Sequence, residues 1–179
     1  MLLMIAVIVV PSLLALGILY LFNLKHVTVF DYEAALKYVR GRLKRVCGPG
    51  SYWGLPGLVV YEKVEMRPQL DFLRSEQIRT HDGAMIKIGC QILYQVVDPV
   101  ASKMAVRHFV SAVRLVVRNS IPEAAAAMSL DEIAHGHDAF HERMIRKTAD
   151  RMKYLGGRLI SVQIVEMRII RNAIAGKKD

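Results

Sequence analysis

The residue types best suited to chemistry lie in the stretch HGHDAFHE, at positions 135–142. His137 and His141 are four residues apart, so on a helix both imidazoles face the same side, where such a pair can chelate a metal ion. A catalytic zinc ion needs a third protein ligand, and no His or Cys cluster elsewhere in the sequence offers one. His137 also continues the apolar spacing between Ile133 and Phe140, which favours burial. Structural or solvated histidines are therefore the preferred interpretation, and a hydrolase or metal-binding protein that uses 135–142 is the alternative.

Other signatures of enzymes are missing from the sequence. It contains no Gly-x-Ser-x-Gly elbow, no phosphate-binding loop and no dinucleotide-binding fingerprint. Ser51 lies in a glycine-rich stretch, GPGSYWG, but no His and Asp partners can be assigned to it. We therefore predict a protein that is not an enzyme and that uses no cofactor and no metal ion.

The first 24 residues contain no charged side chain. As a helix that rises about 1.5 Å per residue they would span about 35 Å, enough to cross a hydrocarbon core of about 30 Å. A cleaved signal peptide would need a basic start and a small-residue cleavage site, and neither is present. Pro11 allows either a kinked single span or a hairpin that turns at this residue, and we favour the single span.

Positive charge is concentrated directly after this apolar segment. Residues 25–45 contain two acidic residues and six basic ones: Lys25, Lys37, Arg40, Arg42, Lys44 and Arg45. The positive-inside tendency then leaves the folded portion in the cytoplasm, at a plasma membrane or a bacterial inner membrane. Anionic headgroups attract such residues by about 1 kcal/mol each. Since no recognition helix or set of base-stacking aromatics accompanies the net charge of +9, we predict contact with the lipid bilayer and no nucleic-acid binding.

The stretch CGPGSYWGLPG, at 47–57, is predicted to be a loop because it combines four glycines with two prolines. Aromatic side chains beside an anchor suit the headgroup region, and the alternative is that Trp53 caps the domain core. Cys47 is a candidate for acylation, because it lies in a loop near the membrane. The predicted membrane-contacting residues are Tyr52, Trp53, Leu55, Leu58, Lys25, Arg40, Arg42, Lys44 and Arg45.

Periodicity predicts the remaining elements. A turn at Thr80–Gly83 precedes a strand with one apolar face, formed by Ile86, Ile88, Cys90, Ile92, Tyr94 and Val96. Helices follow at 106–128, interrupted at Pro122, and at 130–155, where Ser129 and Glu132 form a capping-box pattern. A closing strand at 158–170 shifts phase near Val165, which indicates a bulge.

In this order and spacing the chain resembles the stomatin/prohibitin/flotillin superfamily, also called band 7. It looks closest to the stomatin-like slipins and the bacterial Hfl-type modulators, and the resemblance covers about residues 25–170. The residues that carry it are Gly48-Pro-Gly50 with Tyr52-Trp53 and Pro56, Thr80 and Asp82, Tyr94 to Pro99, Arg118-Asn119, Ser129 to Ile133, and Val162-Gln-Ile164.

The resemblance implies an α+β fold in which an N-terminal transmembrane helix is followed by a two-part band 7 domain with antiparallel strands flanked by helices. It divides the chain into an anchor at 1–24, a membrane-proximal subdomain at 25–79, a second subdomain at 80–170 and a polar tail at 171–179. In related proteins apolar loops of the first subdomain dip into the near leaflet, and the matching loop here is 47–58.

As function, the resemblance implies a membrane-anchored scaffold that self-associates into rings or microdomains and holds partner membrane proteins, such as a protease or a channel. The family has no recognised catalytic residues. Its members usually continue into a long coiled coil, whereas this sequence ends nine residues after Ile170. The sequence is therefore either truncated or a short paralogue. The resemblance still implies a homo-oligomer, but a tall closed cage is not expected, and pairing between domains stays open. Pro122 is a second departure from the family pattern, because related chains have an uninterrupted helix at this position.

Overall fold

The structure is a computed structural model that describes residues 11, 12, 17 and 25–171, except the side chains of His137 and Arg171. Within this described part, no helix is both long enough and apolar enough to cross a bilayer. The predicted anchor at 1–24 lies outside the described residues apart from Pro11, Ser12 and Gly17, and residues 172–179 of the predicted tail also lie outside them.

The chain divides into two compact units between Glu65 and Met66. Between residues 25 and 65, the regular elements of the first unit are strands. They are β1 (Lys25–Val29), β2 (Glu33–Val39), β3 (Arg42–Cys47), β4 (Gly50–Gly54) and β5 (Val59–Glu65). β1 pairs with β4, and β2 lies between β3 and β5 in a second sheet, with every pairing antiparallel.

A small core joins the two sheets of the first unit. Val29 of β1 packs with Ala35 of β2 and Cys47 of β3, and each of these side chains is buried. Because Cys47 is 3% exposed, its thiol is not accessible for acylation in the folded chain. The cysteine therefore serves packing, as small apolar side chains do in this environment.

The second unit combines one sheet with four helices among its described residues. Its elements are β6 (Gln69–Arg79), β7 (Met85–Val96), α1 (Pro99–Met104), α2 (Phe109–Ala125), α3 (Leu130–His135), α4 (His137–Tyr154) and β8 (Gly157–Arg171). The sheet is antiparallel with the order β6–β7–β8. All six apolar residues predicted for one face of the central strand are buried, with exposures of 5% or less, so that strand is confirmed.

The predicted boundary after residue 79 differs from the division between Glu65 and Met66. β6 pairs with β7 from Gln69 to Arg79, and this pairing joins β6 to the second unit. Pro68 lacks a backbone N–H and lies between β5 and β6, outside both strands.

α2 and α4 cover the apolar face of the sheet. Val113 and Val117 from α2 and Phe140 from α4 belong to one buried cluster with the β7 side chains. The predicted helix at 106–128 is only partly right, because α2 begins at Phe109 and ends at Ala125.

Pro122 lies inside α2 and does not interrupt it. A proline inside a helix lacks one N–H donor and crowds the carbonyl four residues before it, but here the helix continues beyond it: Ala126 N–H donates to Pro122 O at 2.9 Å. The predicted interruption at Pro122 is therefore wrong.

The second predicted helix is divided at Gly136 into α3 and α4. Its predicted capping box is confirmed: Ser129 Oγ accepts the Glu132 N–H at 3.2 Å, and Glu132 Oε2 accepts the Ser129 N–H at 2.8 Å. Gly136 leaves the helical conformation, and a Cβ atom there would lie 2.4 Å from the Glu132 carbonyl oxygen. This position therefore requires glycine.

β8 carries three register shifts against β7. One of them lies at the predicted bulge, where Gly89 pairs with Glu166 and Cys90 pairs with Ile164, so that Val165 is the extra residue. A bulge bends and twists the strand locally, and this predicted irregularity is confirmed.

Candidate functional site

The predicted membrane-contacting residues all lie in the first unit. The strand pairings of this unit place five of them at one end of it. We call this the basic end and define it by Lys25, Arg40, Arg42, Leu55 and Leu58. The connection between β2 and β3 is the two-residue turn Arg40-Gly41, since Val39 pairs directly with Arg42. Both turn residues have positive φ, 50° and 76°, as a type I′ hairpin requires.

Hydrogen bonding holds the second loop of the basic end against this turn. The Arg40 N–H donates to the Leu58 carbonyl oxygen at 2.9 Å, and Val59 pairs with Val39 across the sheet. On the other sheet Lys25 pairs with Gly54, the residue directly before Leu55. Residues that are distant in sequence therefore meet at one end of the unit.

Charge is distributed unevenly along the sheet that β2 organises. At the end opposite to Arg40, Glu33 pairs with Glu65, and the Lys63 ammonium lies 2.9 Å from the Glu33 carboxylate. Lys44 and Arg45 lie on β3 between the two ends, and both are exposed. The first unit thus has a basic end and an acidic end.

Tyr52 and Trp53 lie on opposite faces of β4. Trp53 pairs with His26, is 62% exposed and has its ring centroid 4.7 Å from the His26 ring. Tyr52 faces inward, where its ring lies 5.8 Å from the Tyr61 ring and its hydroxyl donates to the Gly48 carbonyl at 3.0 Å. Trp53 therefore does not cap the core of the first unit, and the structure does not bring these two aromatics together.

The predicted loop at 47–57 is wrong in its central part, because residues 50–54 form β4. Gly50 starts this strand with a φ of 143°, a conformation that side chains disfavour. His26 is the partner of Trp53 and was not among the predicted site residues. Only the register of β1 with β4 brings these two residues together, and periodicity does not reveal a pairing between strands that distant in sequence.

The histidine-rich stretch at 135–142 lies in the second unit. His135 is 81% exposed and lies 3.0 Å from the Asp131 carboxylate. His141 Nδ1 accepts the backbone N–H of Val162 at 3.2 Å, so its neutral ring carries the proton on Nε2. The side chain of His137 lies outside the described residues. Among those that are described, no group of three or more His, Cys, Asp or Glu residues is arranged to hold a metal ion.

Comparison with known proteins gives the family. The model of the SPFH domain / Band 7 family matches residues 27–175. Stomatin-like protein 1 of Mus musculus is 30% identical over 102 residues, which are 57% of this chain and 26% of that protein. A stomatin homologue of Pyrococcus horikoshii is 23% identical over 163 residues, 89% of this chain and 60% of that protein.

An uncharacterised protein of Methanocaldococcus jannaschii is 26% identical over 167 residues, which are 90% of this chain and 84% of that protein. The chain thus spans about a quarter of the mouse protein, 26%, and most of the M. jannaschii protein. Since the family model covers most of the chain, the predicted resemblance is confirmed, and the chain belongs to the SPFH domain / Band 7 family.

Proposed function

We propose that this chain is a membrane-attached scaffold that is not an enzyme. In this proposal residues 1–24 span the bilayer once, and the basic end of the first unit lies against cytoplasmic headgroups of a plasma membrane or bacterial inner membrane. Copies of the chain associate side by side and hold partner membrane proteins, such as a protease or a channel. Membership in a family that includes stomatin-like proteins supports the scaffold role.

The single observation that carries the proposal is the composition of the basic end. Lys25 follows directly on the apolar segment 1–24, so the basic end is where the folded chain would leave the bilayer. Exposed Arg40 and Arg42 lie beside Leu58, and the hydrogen bond from Arg40 to Leu58 holds both loops together. Cationic side chains around apolar ones fit an anionic headgroup layer, where both interactions are satisfied at the same depth.

Trp53 adds an amphipathic ring to the same unit. With 62% of its surface exposed it can lower its free energy by entering the headgroup region, where tryptophan is enriched in membrane proteins. The His26 ring lies beside it on the same face, tilted by 53°. The acidic end, with Glu33 and Glu65, would then point away from the anionic surface.

Exposed apolar side chains of the second unit support association between copies. Leu70 and Phe72 of β6 are 54% and 62% exposed and alternate with Asp71, whose carboxylate bonds to Arg114 of α2. Leu115 of the same helix is 56% exposed. Apolar surface of this kind is typical of interaction sites.

The membrane contact is tested with the fragment 25–179 and vesicles that contain phosphatidylserine. Replacing Trp53 and Leu55 with aspartate should reduce the fraction that sediments with vesicles, because two charges would enter the headgroup layer. As a matched control, Tyr154→Asp with Met104→Asp alters exposed residues of the second unit and should leave sedimentation unchanged. Equal sedimentation of all three proteins would contradict the proposed orientation.

Self-association is tested separately, by electron microscopy of the full chain extracted in mild detergent. The proposal expects particles that contain several copies. A lone monomer that turns over a small molecule would contradict the scaffold and favour an enzyme.

A further inference from the structure

A groove runs along the second unit between α4 and β8. It consists of three depressions in a row, with volumes of about 460, 250 and 590 Å³. His141 lines the first and the second depression, and Ile145 lines the second and the third, so neighbouring depressions share a residue of α4, and the second is lined by α4 alone. The groove therefore extends from Asp138 and Ile164 at one end to Lys153 and Arg158 at the other.

One wall of the groove is the edge of a sheet. In the part of the chain that the structure describes, β8 pairs with β7 alone. The Val162 N–H points at His141 and not at β7, so Val162 and Ile92 form a non-hydrogen-bonded pair. The next pair with this geometry is Ile164 with Cys90, because the register between them is regular. The N–H and C=O groups of Ile164 therefore also face the groove.

Backbone groups on a strand edge favour one kind of ligand. They accept and donate at the spacing of another extended chain, which is the basis of β-strand addition. A helix beside the edge supplies the second wall, and side chains of the added strand alternate between the helix side and the solvent side. Here α4 is that second wall.

The chemistry of the two ends determines the direction of the ligand. The third depression has an apolar floor with Met152 and Leu159, which are 1% and 5% exposed, and it is bordered by Lys153 and Arg158. Asp98 also lines it, but its carboxylate accepts the backbone N–H groups of Val100 and Ala101, so the two cations outnumber it. Asp138 borders the other end, and Glu142 and Arg146 both line the second depression between the two ends. β8 runs along the groove from Lys153 and Arg158 towards Asp138. A strand added antiparallel to β8 therefore has its N-terminus near Asp138 and its C-terminus near Lys153 and Arg158.

We propose that the groove between α4 and β8 binds an extended peptide segment of a partner protein, antiparallel to β8, with an apolar side chain over Met152 and an acidic C-terminal end beside Lys153 and Arg158. The incoming strand supplies a backbone carbonyl to the Val162 N–H and displaces the His141 ring from it. The role of the groove in recruiting a partner protein rests on the proposed scaffold function. The groove itself lies within the second unit and is complete in one copy of the chain.

The test uses the full chain in lipid nanodiscs and a fluorescein-labelled octapeptide as the probe. The probe alternates threonine with valine, begins with lysine and ends with glutamate. Binding is measured by fluorescence anisotropy. We expect saturable binding, with an affinity about tenfold weaker for Ala149→Gln, because the longer side chain fills the groove. Ala149 is exposed on α4 and lines the third depression.

Ala139→Gln is the matched control, since it makes the same change at another exposed position of α4 that lines none of the three depressions. Its affinity should equal that of the unmodified chain. A peptide with lysine and glutamate exchanged should bind about tenfold more weakly, because its charges then face like charges. A peptide that is N-methylated at alternate residues should also bind about tenfold more weakly, because the methylated residues have no N–H to donate to the strand edge.

Any of four results with the peptides would overturn the proposal: no saturable binding, equal affinities for Ala149→Gln and Ala139→Gln, or unchanged affinity of either the N-methylated peptide or the peptide with lysine and glutamate exchanged. Binding of a fluorescent fatty acid with loss in Ala149→Gln, but no binding of peptide, would assign the groove to a lipid and also overturn it. Particle size of the same samples reports self-association independently. Failure of peptide binding with normal assembly therefore contradicts this inference alone and not the scaffold function.

Discussion

His141 Nδ1 accepts the backbone N–H of Val162 at 3.2 Å and so occupies one donor on the outer edge of β8. On the opposite edge of the sheet the Phe72 N–H of β6 donates to its neighbour Asp71 at 2.9 Å. Ile92 of the central strand pairs with both Asp71 and Val162, so the two bonds lie at the same level of the sheet. Because side chains satisfy these edge donors, another strand can pair there only by displacing them.

Replacing His141 with alanine should lower the free energy of unfolding by about 1 kcal/mol, because the Val162 N–H loses its acceptor. The change is measured as a shift of the urea midpoint for the fragment 25–179. His135→Ala serves as the control, since this histidine is 81% exposed and pairs only within its own helix turn. Equal shifts for both variants would contradict a structural role of His141.

Replacing Arg40 and Arg42 with glutamine should weaken the binding of fragment 25–179 to anionic vesicles by about fivefold for each residue, because each charge contributes about 1 kcal/mol near such a surface. The difference should disappear on neutral vesicles. Arg74→Gln with Arg107→Gln removes two exposed charges from the second unit and should have no such effect. A similar loss in both double variants would indicate that net charge, and not the basic end, determines binding.

The stability of the second unit should fall in acid partly through Asp71. Hydrogen bonding from the Arg114 guanidinium, at 2.9 Å, holds the pKa of the Asp71 carboxyl below its ordinary value of 3.8. The pKa of Asp71 is lower in the folded chain than in the unfolded chain, so the ion pair gives its full stabilisation above about pH 5. The stabilisation is lost as the pH falls through the pKa of the unfolded chain and then through that of the folded chain.

This dependence is checked by urea unfolding of Asp71→Asn between pH 6 and pH 2. The gap in urea midpoint between the unmodified chain and the variant should be largest at pH 6 and should shrink below about pH 4. Arg114→Gln removes the same pair and should give the same profile. A gap that does not change with pH would contradict the assignment of the interaction to the charged carboxylate.

Gly156→Ala should destabilise the second unit more than Gly41→Ala destabilises the first. Both glycines have positive φ, 75° and 76°, which costs about 1 kcal/mol for alanine. A Cβ atom at Gly156 would lie 2.5 Å from the Asp98 carbonyl oxygen, whereas at Gly41 it would meet no described atom within 4 Å. The overlap at Gly156 should lower the free energy of unfolding by a further amount on the order of 1–3 kcal/mol. Thermal unfolding of the two variants checks the order, and equal losses would contradict it.

Local patterns in the sequence determined several elements correctly. The alternation from Ile86 to Val96 placed the central strand, because period two and a buried face come from the same backbone geometry. Ser129 and Glu132 placed a helix start, since a capping box is complete within four residues. The order of these motifs was enough to predict the family, which the match over residues 27–175 confirms.

Strand register and long-range packing determined the features that local sequence patterns did not predict. The predicted loop around Trp53 became β4 because β1 pairs with it, and that pairing turned Tyr52 inward and Trp53 outward. Likewise, β6 joined the second unit through pairing with β7, and His141 found its partner in a strand 21 residues away. Sequence periodicity shows which residues share a face of one strand or helix. Which faces and edges meet depends on contacts between distant segments, and only the tertiary structure decided those.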